Sequence, residues 1–485
     1  MADQGGVMPS EGYDHDNRGR LAGVLAEPPP TGYRVRYRVL PRAGKYRTGA
    51  VLLTALAPAL AGLLLLHALW HTHWTGRGNA QRWVALADSV TLVSLAMAEL
   101  FLLVNVIAVA YAAWVVRDPV PVAPERGTGL AFLVTYVPGR EHLSTVRATL
   151  EGAVRLRHPG PLDVWLLDES DDPEARMLCA ELGVHHFTRL GVPEWNREAG
   201  PHRTGTRHGN YNAWLAKHGD DYDFLASLDT GLVPLPGFLE RMTGYFRDPD
   251  IAFVVAPPLH YGDAPAVTGI AGPPHSPFRA LVQRAGNRYG APVLAGTGRV
   301  MRVAALRRAG GFQDSAAGDM ATGFGIHRLR NPRTGRFWRS VHTPDAPAAG
   351  DGLSAPAHAL TRRRRRARGA YGALLTQYGK ALFRVPPGRL LSYTLTLLRR
   401  PVAAVTCLFC VLSCLLALTQ AQTRVQTVCA LAAAALPPGL LWSSTLLRGR
   451  PRRAAGSRSR TVRPVQDGEP ALATAATASG PAGGT

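Results

Sequence analysis

Residues 130–172 read LAFLVTYVPGREHLSTVRATLEGAVRLRHPGPLDVWLLDESDD, and this stretch decides the fold. It begins with an apolar run, Leu130–Val137, which is typical of a strand buried on both faces of a sheet. After the turn at Pro138-Gly139, apolar residues recur at the spacing of one helical face: Leu143, Val146, Leu150 and Val154. A second apolar run, Leu162–Leu167, completes a strand, helix and strand unit, which predicts a parallel pair of strands.

The alternation of strands and helices continues beyond residue 172. Further strands are predicted at Val184–Thr188, Phe224–Leu228 and Ile251–Ala256. Further helices are predicted at three places: around Ala175, Leu178 and Leu182, at Asn210–Lys217, and at Pro236–Phe246. Because strands that alternate with helices form a mostly parallel sheet covered on both faces, we expect an α/β, Rossmann-like domain.

Four apolar segments flank this domain, two on each side. Each has at least roughly the twenty residues that a helix needs to cross a bilayer, and they are Gly49–Trp70, Ala87–Val116, Pro401–Gln420 and Val425–Leu447. Lys and Arg outnumber Asp and Glu by 55 to 34, with the surplus at the two ends and in the run Arg362–Arg368. We expect a multi-pass protein of a bacterial plasma membrane. Since positive charge marks the cytoplasmic side, its central domain and both tails are expected to face the cytoplasm.

The expected domain organisation follows from these segments. Each boundary is placed where composition changes from apolar to polar or basic. The ranges are 1–47, a disordered basic tail; 48–117, two transmembrane helices; 125–360, the cytoplasmic α/β domain; 361–400, an arginine run with interfacial helices; 401–447, two transmembrane helices; and 448–485, a disordered tail.

Charge and cysteine content exclude some classes of function. The net charge of +21 comes with no zinc finger, helix-turn-helix or basic stretch interleaved with aromatics, so nucleic acid is not an expected partner. Basic residues beside apolar spans suit anionic membrane lipid instead. Of the five cysteines, four lie in apolar stretches, so they are no disulfide framework.

Two predicted strands end in an acidic residue, Asp168 and Asp229. In open α/β sheets, ligands bind beyond the carboxyl ends of the strands, and both acids are expected at that edge. A nucleotide diphosphate requires acceptors for its base or ribose and an anchor for a divalent cation, and carboxylates supply both. The alternative is that each Asp only caps the turn that follows it.

Several segments, in order, resemble the motifs of family 2 glycosyltransferases. Residues 228–236, LDTGLVPLP, resemble the LDADHVP segment, 207–212, RHGNYN, the KAGNLN element, and 165–170, WLLDES, the VLDD element. Residues 295–298, AGTG, with Arg302, are similar to a further segment of the family, and Asp319 falls where the family has TED. The resemblance covers about residues 130–400 and is nearest to the cellulose synthase-like branch, which has flanking transmembrane helices.

The resemblance implies a GT-A-like fold and an inverting transfer of a sugar from a nucleotide diphosphate to a hydroxyl. A UDP-sugar is the favoured donor, and the acceptor would be a saccharide or a lipid-linked sugar. It also assigns residues: Asp319 as general base, Asp229 as ligand of the diphosphate or of its Mg²⁺ or Mn²⁺, and Thr135, Tyr136, Asp168, Asn210 and Gly296 as donor-binding residues. Helix capping is the alternative for Asn210, and a plain turn is the alternative for Gly296.

The sequence departs from the family at four places, the first of which is Thr135-Tyr136-Val137-Pro138 where the family has TYNE. Gly231 replaces the second acid of the D-x-D motif, and Ala317-Gly318 replace the Thr-Glu before the base. The Q-x-x-R-W stretch has become Arg362–Arg366, in which Arg365 is retained, so Arg362 and Arg365 are expected to bind acceptor or diphosphate. These departures keep two other functions open: a catalytically silent scaffold or regulatory subunit of a synthase complex, and a protein that binds anionic lipid. Four spans are few for a polymer channel, which suggests a partner subunit.

Overall fold

The computed structural model describes most of the central part of the chain. The described ranges are 24–29, 32–38, 111–139, 141–261, 278–315, 318–345, 347–351 and 385–396, with single residues between 93 and 110. Three predicted spans lie outside the described residues: 49–70, 401–420 and 425–447. About half of the span 87–116 also lies outside them, as do Arg362, Arg365 and the tail 448–485. Among the described residues, no helix combines the length and apolar character that a membrane crossing requires.

A sheet of seven strands forms the centre of the domain. Its strands lie in the order β11-β8-β10-β6-β3-β4-β5. Four neighbouring pairs are parallel, and only β10 runs antiparallel, to both of its neighbours. The bounds are Leu130–Tyr136 for β3, Leu162–Asp168 for β4, His185–Thr188 for β5, Phe224–Leu228 for β6, Ile251–Val255 for β8, Arg299–Arg302 for β10 and Arg339–His342 for β11. The expected α/β, mostly parallel architecture is confirmed.

Seven α-helices of the domain are numbered in chain order. They are α1 Leu143–Ala153, α2 Pro173–Leu182, α3 Arg207–His218, α4 Phe238–Thr243, α5 Arg284–Gly286, α6 Val303–Arg308 and α7 Gly318–His327. The predicted apolar stripe of α1 ends early, because Val154 is 44% exposed. The helix predicted at residues 236–246 is shorter, since a 3-10 turn, Gly244–Arg247, follows α4.

The two faces of the sheet are covered by different helices. Along β3, Leu130, Phe132 and Val134 pack with residues of α1, α2 and α4, whereas Ala131 and Leu133 pack with residues of α3, α6 and α7. This alternation follows from the two-residue period of a strand. Because both faces are buried, the rim of the sheet is the part that a ligand could reach.

Two smaller sheets complete the domain. One contains β7 Leu232–Pro234, β12 Ala348–Asp351 and β9 Leu259–Tyr261. The other pairs β1 Tyr37–Arg38 with β2 Asp118–Pro119. The prediction of a disordered tail over 1–47 is therefore wrong for 32–38. Its apolar Tyr33 and Val35 are buried in the core, and Arg34 pairs with Asp248 at 2.7 Å.

A helix at residues 387–396 packs against the domain. Tyr393 is buried beside Phe324 of α7, with ring centroids 4.8 Å apart. Arg389 donates hydrogen bonds to the carbonyl oxygens of His327 and Trp338, at 3.0 and 2.7 Å. This part of the predicted interfacial segment 361–400 is thus joined to the end of α7.

Candidate active site

The carboxyl ends of the parallel strands meet at one edge of the sheet. Asp229 directly follows β6 there, and Tyr136 and Asp168 end β3 and β4 side by side. Since β10 is antiparallel, its first residue, Arg299, lies at the same edge, opposite Ser227 of β6. The first turns of α3 and α7 bring basic and acidic side chains to this edge.

Asp229 forms an ion pair with Arg207, the first residue of α3. The backbone N–H of Asp229 donates to Thr297 Oγ1 at 2.7 Å, which fixes the start of the turn. The side chains of Asp229 and Arg207 are 45% and 33% exposed, so a ligand in solution can reach this pair. The negative charge of Asp229 is the main cause of a raised pKa of Arg207, so this guanidinium stays charged at any working pH.

Asp319, in the first turn of α7, lies among three basic side chains. It is paired with Arg299, lies 3.0 Å from His208 Nε2, and lies 3.5 Å from Nη2 of Arg207. Burial acts to raise the pKa of Asp319, but Arg299, the hydrogen bond from His208, and Arg207 hold this pKa well below its usual range. The carboxylate is therefore ionised at neutral pH.

Arg299 is a fixed cation under Asp319. It is 2% exposed, donates from Nε to Ser227 Oγ at 2.8 Å, and lies over the Phe312 ring at 5.0 Å. A charge buried this deeply requires a partner, and Asp319 provides it.

Arg207, in contrast, pairs with both Asp229 and Asp319, two acids that are 90 residues apart in sequence.

Asp168 is placed differently from these two acids. Its carboxylate is fully buried and accepts hydrogen bonds from the backbone N–H groups of Ser170 and Asp172, at 2.9 and 2.6 Å, and from His186 at 3.2 Å. Burial acts to raise its pKa, and these hydrogen bonds lower it below the usual value. The geometry matches the capping alternative, because the carboxylate accepts hydrogen bonds from its own turn and from β5.

Thr135 and Tyr136 lie beside Asp168 and are both buried. The hydroxyl of Tyr136 donates to Asp172 at 3.0 Å. Asp172 also caps α2, because its side chain accepts from the N–H of Glu174. These two side chains support the turn after β4.

Asn210 is buried on α3 and ties this helix to β4. Its Nδ2 donates to the carbonyl oxygen of Leu167 at 3.2 Å. The cap of α3 is Thr206, whose hydroxyl accepts from the N–H of Gly209, so the capping alternative is wrong for Asn210. Its Oδ1 is buried without a partner among the described residues.

Glycines shape the two loops at the rim. Gly231 and Gly296 have φ values of +87° and +88°, in the left-handed region that glycine tolerates best. At Gly298, an added Cβ would lie 2.7 Å from Pro347. The turn after β6 therefore has a conformational requirement for glycine at the position where the family has its second acid.

Sequence reasoning missed four functional side chains: Arg207, His208, Arg299 and Arg189. For Arg207 and His208 a signal existed, because cations in the first turn of a helix oppose its dipole and so indicate acidic partners nearby. Arg299 gave no local signal, since its role depends on the antiparallel insertion of β10.

Arg189 follows β5 and is completely buried. It forms an ion pair with Glu169 at 2.7 Å and donates to the carbonyl oxygens of Trp195 and Arg203, at 2.9 and 3.1 Å. A Cβ added at Gly209 would lie 2.6 Å from its guanidinium. Arg189 therefore holds the loop that leads into α3 and positions Arg207.

The residues at the edge fit a divalent cation poorly. Mg²⁺ and Mn²⁺ prefer carboxylate oxygens, but Asp229 is bound to Arg207, Asp319 is bound to three basic groups, and the second acid is Gly231. Among the described residues, no cluster of three His, Cys, Asp or Glu side chains is placed to hold a metal ion. An incoming cation would have to displace a guanidinium of the same charge sign.

Comparison with known proteins gives one similarity in sequence and several in structure. No family model matches the chain. The catalytic subunit of a UDP-forming cellulose synthase from Komagataeibacter sucrofermentans is 27% identical over 188 residues. This match covers 37% of the chain and 23% of the relative, so the chain matches about a quarter of the relative's length.

Two solved structures illustrate the structural likeness. A mannosyltransferase from Pyrobaculum calidifontis, in complex with GDP-Man and Mn²⁺, is 15% identical with a TM-score of 0.49, covering 83% of this chain and 96% of its own. Glucosyl-3-phosphoglycerate synthase from Mycobacterium tuberculosis, in complex with Mn²⁺, UDP and its product, is 15% identical with a TM-score of 0.35, covering 51% and 79%. TM-scores below 0.5 assign neither an activity nor a substrate to this chain. The sequence match, with the ordered motifs, confirms the predicted resemblance of this chain to the cellulose synthase-like branch of the family 2 glycosyltransferases.

Proposed function

We propose that the chain is a membrane-bound inverting glycosyltransferase of the hexosyltransferase type. It transfers a sugar from a nucleotide diphosphate, with UDP-sugars favoured, to a hydroxyl of a saccharide or a lipid-linked acceptor in polysaccharide or glycolipid synthesis. The observation that carries the proposal is that Arg207 joins Asp229 and Asp319 at one solvent-accessible point of the sheet edge.

Asp319 is the proposed general base. The acceptor oxygen attacks the anomeric carbon from the side opposite the diphosphate, its proton passes to a carboxylate oxygen of Asp319, and the carbon–diphosphate bond breaks. Arg299 and His208 hold the carboxylate in place. A base positioned in this way contributes about 10²- to 10⁴-fold to the rate.

Basic groups at the edge would stabilise the charge that develops on the departing diphosphate. Arg207 is the exposed guanidinium beside Asp229, and guanidinium groups bind phosphate through two parallel N–H donors. Arg362 and Arg365, which lie outside the described residues, are proposed to add further contacts with diphosphate or acceptor. Asn210 and the turns after β3 and β4 are proposed to shape the donor pocket.

The membrane assignment rests on the four apolar segments and on the basic residues beside them. We place the central domain on the cytoplasmic side of a plasma membrane. The packing of residues 387–396 on α7 supports a short distance between the domain and the segment that begins at Pro401.

The second candidate is a catalytically silent subunit that scaffolds or regulates a synthase. Gly231 and the run Arg362–Arg366 favour it, because they remove residues that the resemblance assigns to the reaction. A nucleotide-release assay on the purified full chain, with a panel of UDP- and GDP-sugars and saccharide or lipid-linked acceptors, separates the two. Release that depends on acceptor supports the enzyme, and no release on the whole panel supports the silent subunit.

A further inference from the structure

The active-site edge has a glycine in place of one acid, and the acid that remains is paired with a guanidinium. Gly231 occupies the position where the resemblance expects a second carboxylate, and its φ of +87° suits glycine. Arg207 donates to Asp229, the acid that remains. Because the second carboxylate is missing, the positive charge of Arg207 balances the one negative charge of Asp229.

Arg207 is placed where a bridging cation would be. A metal ion in such a site lies between a carboxylate and the phosphate oxygens and reduces the repulsion between them. The guanidinium of Arg207 already contacts Asp229 through Nη1, and its Nη2 lies 3.5 Å from Asp319. Because a guanidinium has five N–H donors, groups remain for a ligand, and the side chain is 33% exposed.

The orientation of Arg207 is fixed by its surroundings. It is the first residue of α3, and the carbonyl oxygens of the loop before it are held by the buried Arg189. Thr206 caps the same helix. A side chain on a rigid helix start loses little conformational freedom when it binds a phosphate.

We infer that Arg207 takes the bridging place of the divalent cation between Asp229 and the donor diphosphate, so that donor binding by this chain requires neither Mg²⁺ nor Mn²⁺. The inference rests on the proposed function, and it defines the ligand of Arg207 as the diphosphate of a nucleoside diphosphate. A single guanidinium carries half the charge of a divalent ion, so a moderate affinity is expected.

The test measures binding of UDP and GDP to the purified full chain by calorimetry, with EDTA and separately with Mn²⁺ or Mg²⁺. The wild type should bind with an affinity that EDTA changes by less than about threefold. Arg207→Gln should weaken binding in EDTA by about 10- to 100-fold, since it removes a hydrogen bond to a charged group. Arg207→Lys should recover part of this loss, because the charge returns without the fork.

A second expected result concerns the variant itself. Arg207→Gln frees Asp229, so added Mn²⁺ should strengthen nucleotide binding by the variant more than binding by the wild type. Arg203→Gln is the matched control, because Arg203 lies on the same loop, is 54% exposed and pairs with Asp314 at 3.5 Å. This control should bind as the wild type does, and equal unfolding midpoints for all variants show that the fold is retained.

Two outcomes contradict different claims. The inference is wrong, and the proposed function is kept, if the wild type binds nucleotide only with Mn²⁺ or Mg²⁺ and Arg207→Lys or Arg207→Gln binds it as tightly as the wild type does. If the wild type binds neither nucleotide under any condition, the proposed function is wrong and the inference is wrong with it.

Discussion

The hydroxyl of Tyr393 lies 2.8 Å from Nδ1 of His327, and both groups are buried. Ser340 Oγ donates to the carbonyl oxygen of Pro292, so it accepts from Nε2–H of His327, and Nδ1 is left as the acceptor for Tyr393. Burial is the main cause that holds the pKa of His327 well below its usual range, and Arg389 adds to it. This neutral imidazole joins the last turn of α7, the helix that carries Asp319, to residues 387–396.

Tyr393→Phe should destabilise the chain by about 1–3 kcal/mol, because it leaves a buried acceptor without its hydrogen bond. The measurement is the midpoint of denaturant unfolding of the full chain. Thr394→Val is the matched control, since its hydroxyl donates to Leu390 within the same helix, at 2.8 Å, and it should have a smaller effect. Equal midpoints for Tyr393→Phe and the wild type would show that this contact does not hold the helix to the domain.

Arg189→Met should cost about 3–5 kcal/mol, because it leaves the buried acid Glu169 without its cation. The loop before α3 also loses its hydrogen bonds, so sugar transfer should fall with stability. The control is Arg176→Ala, which breaks an exposed pair with Asp171 and should have a much smaller effect on stability. Similar losses in the two variants would refute the role of Arg189 as the residue that holds this loop.

Asp345 predicts a pH dependence of stability. Burial raises its pKa to about 6, above the ordinary aspartate value of 3.8, with Arg241 and Thr343 acting in the opposite direction. Between these two values the folded chain keeps a proton that the unfolded chain releases. Stability from this group therefore decreases as the pH rises toward 6 and is constant above it.

Asp345→Asn removes this titration. The variant should be more stable than the wild type at pH 7.5, by as much as about 2–3 kcal/mol, with a smaller advantage at pH 4.5. Thermal unfolding of both proteins at the two pH values measures the difference. An advantage that is larger at the lower pH would contradict the assignment.

Much of the fold was predictable because burial on both faces leaves a direct pattern in the sequence. Strands β3, β4, β5, β6 and β8 lie within one or two residues of their predicted positions, and all of them except β5 are largely apolar runs between turns. The antiparallel strand β10 was not predicted, because its Arg299 and Arg302 break the apolar run, and its place in the sheet depends on pairing with β6 and β8.

The site was predicted only in part. Asp229 and Asp319 meet at one edge, whereas Asp168 is used inside its own turn. Strand ends locate a carboxylate, but they do not show whether a nearby N–H group or a ligand will bind it. The pairings of Arg207 and Arg189 join distant segments, and no local pattern in the sequence records them. The predictions for Arg362 and Arg365 stay predictions.

The most direct test of the proposed reaction compares Asp319→Asn with Asp221→Asn. Asp221 is an exposed acid just before β6, at the end of that strand opposite to Asp229, so it controls for the loss of one charge. With the donor and acceptor that the wild type uses, Asp319→Asn should lower kcat by about 10²- to 10⁴-fold, and Asp221→Asn should behave as the wild type does. If Asp319→Asn transfers sugar at the rate of the wild type, Asp319 is not the base and the proposed mechanism is wrong.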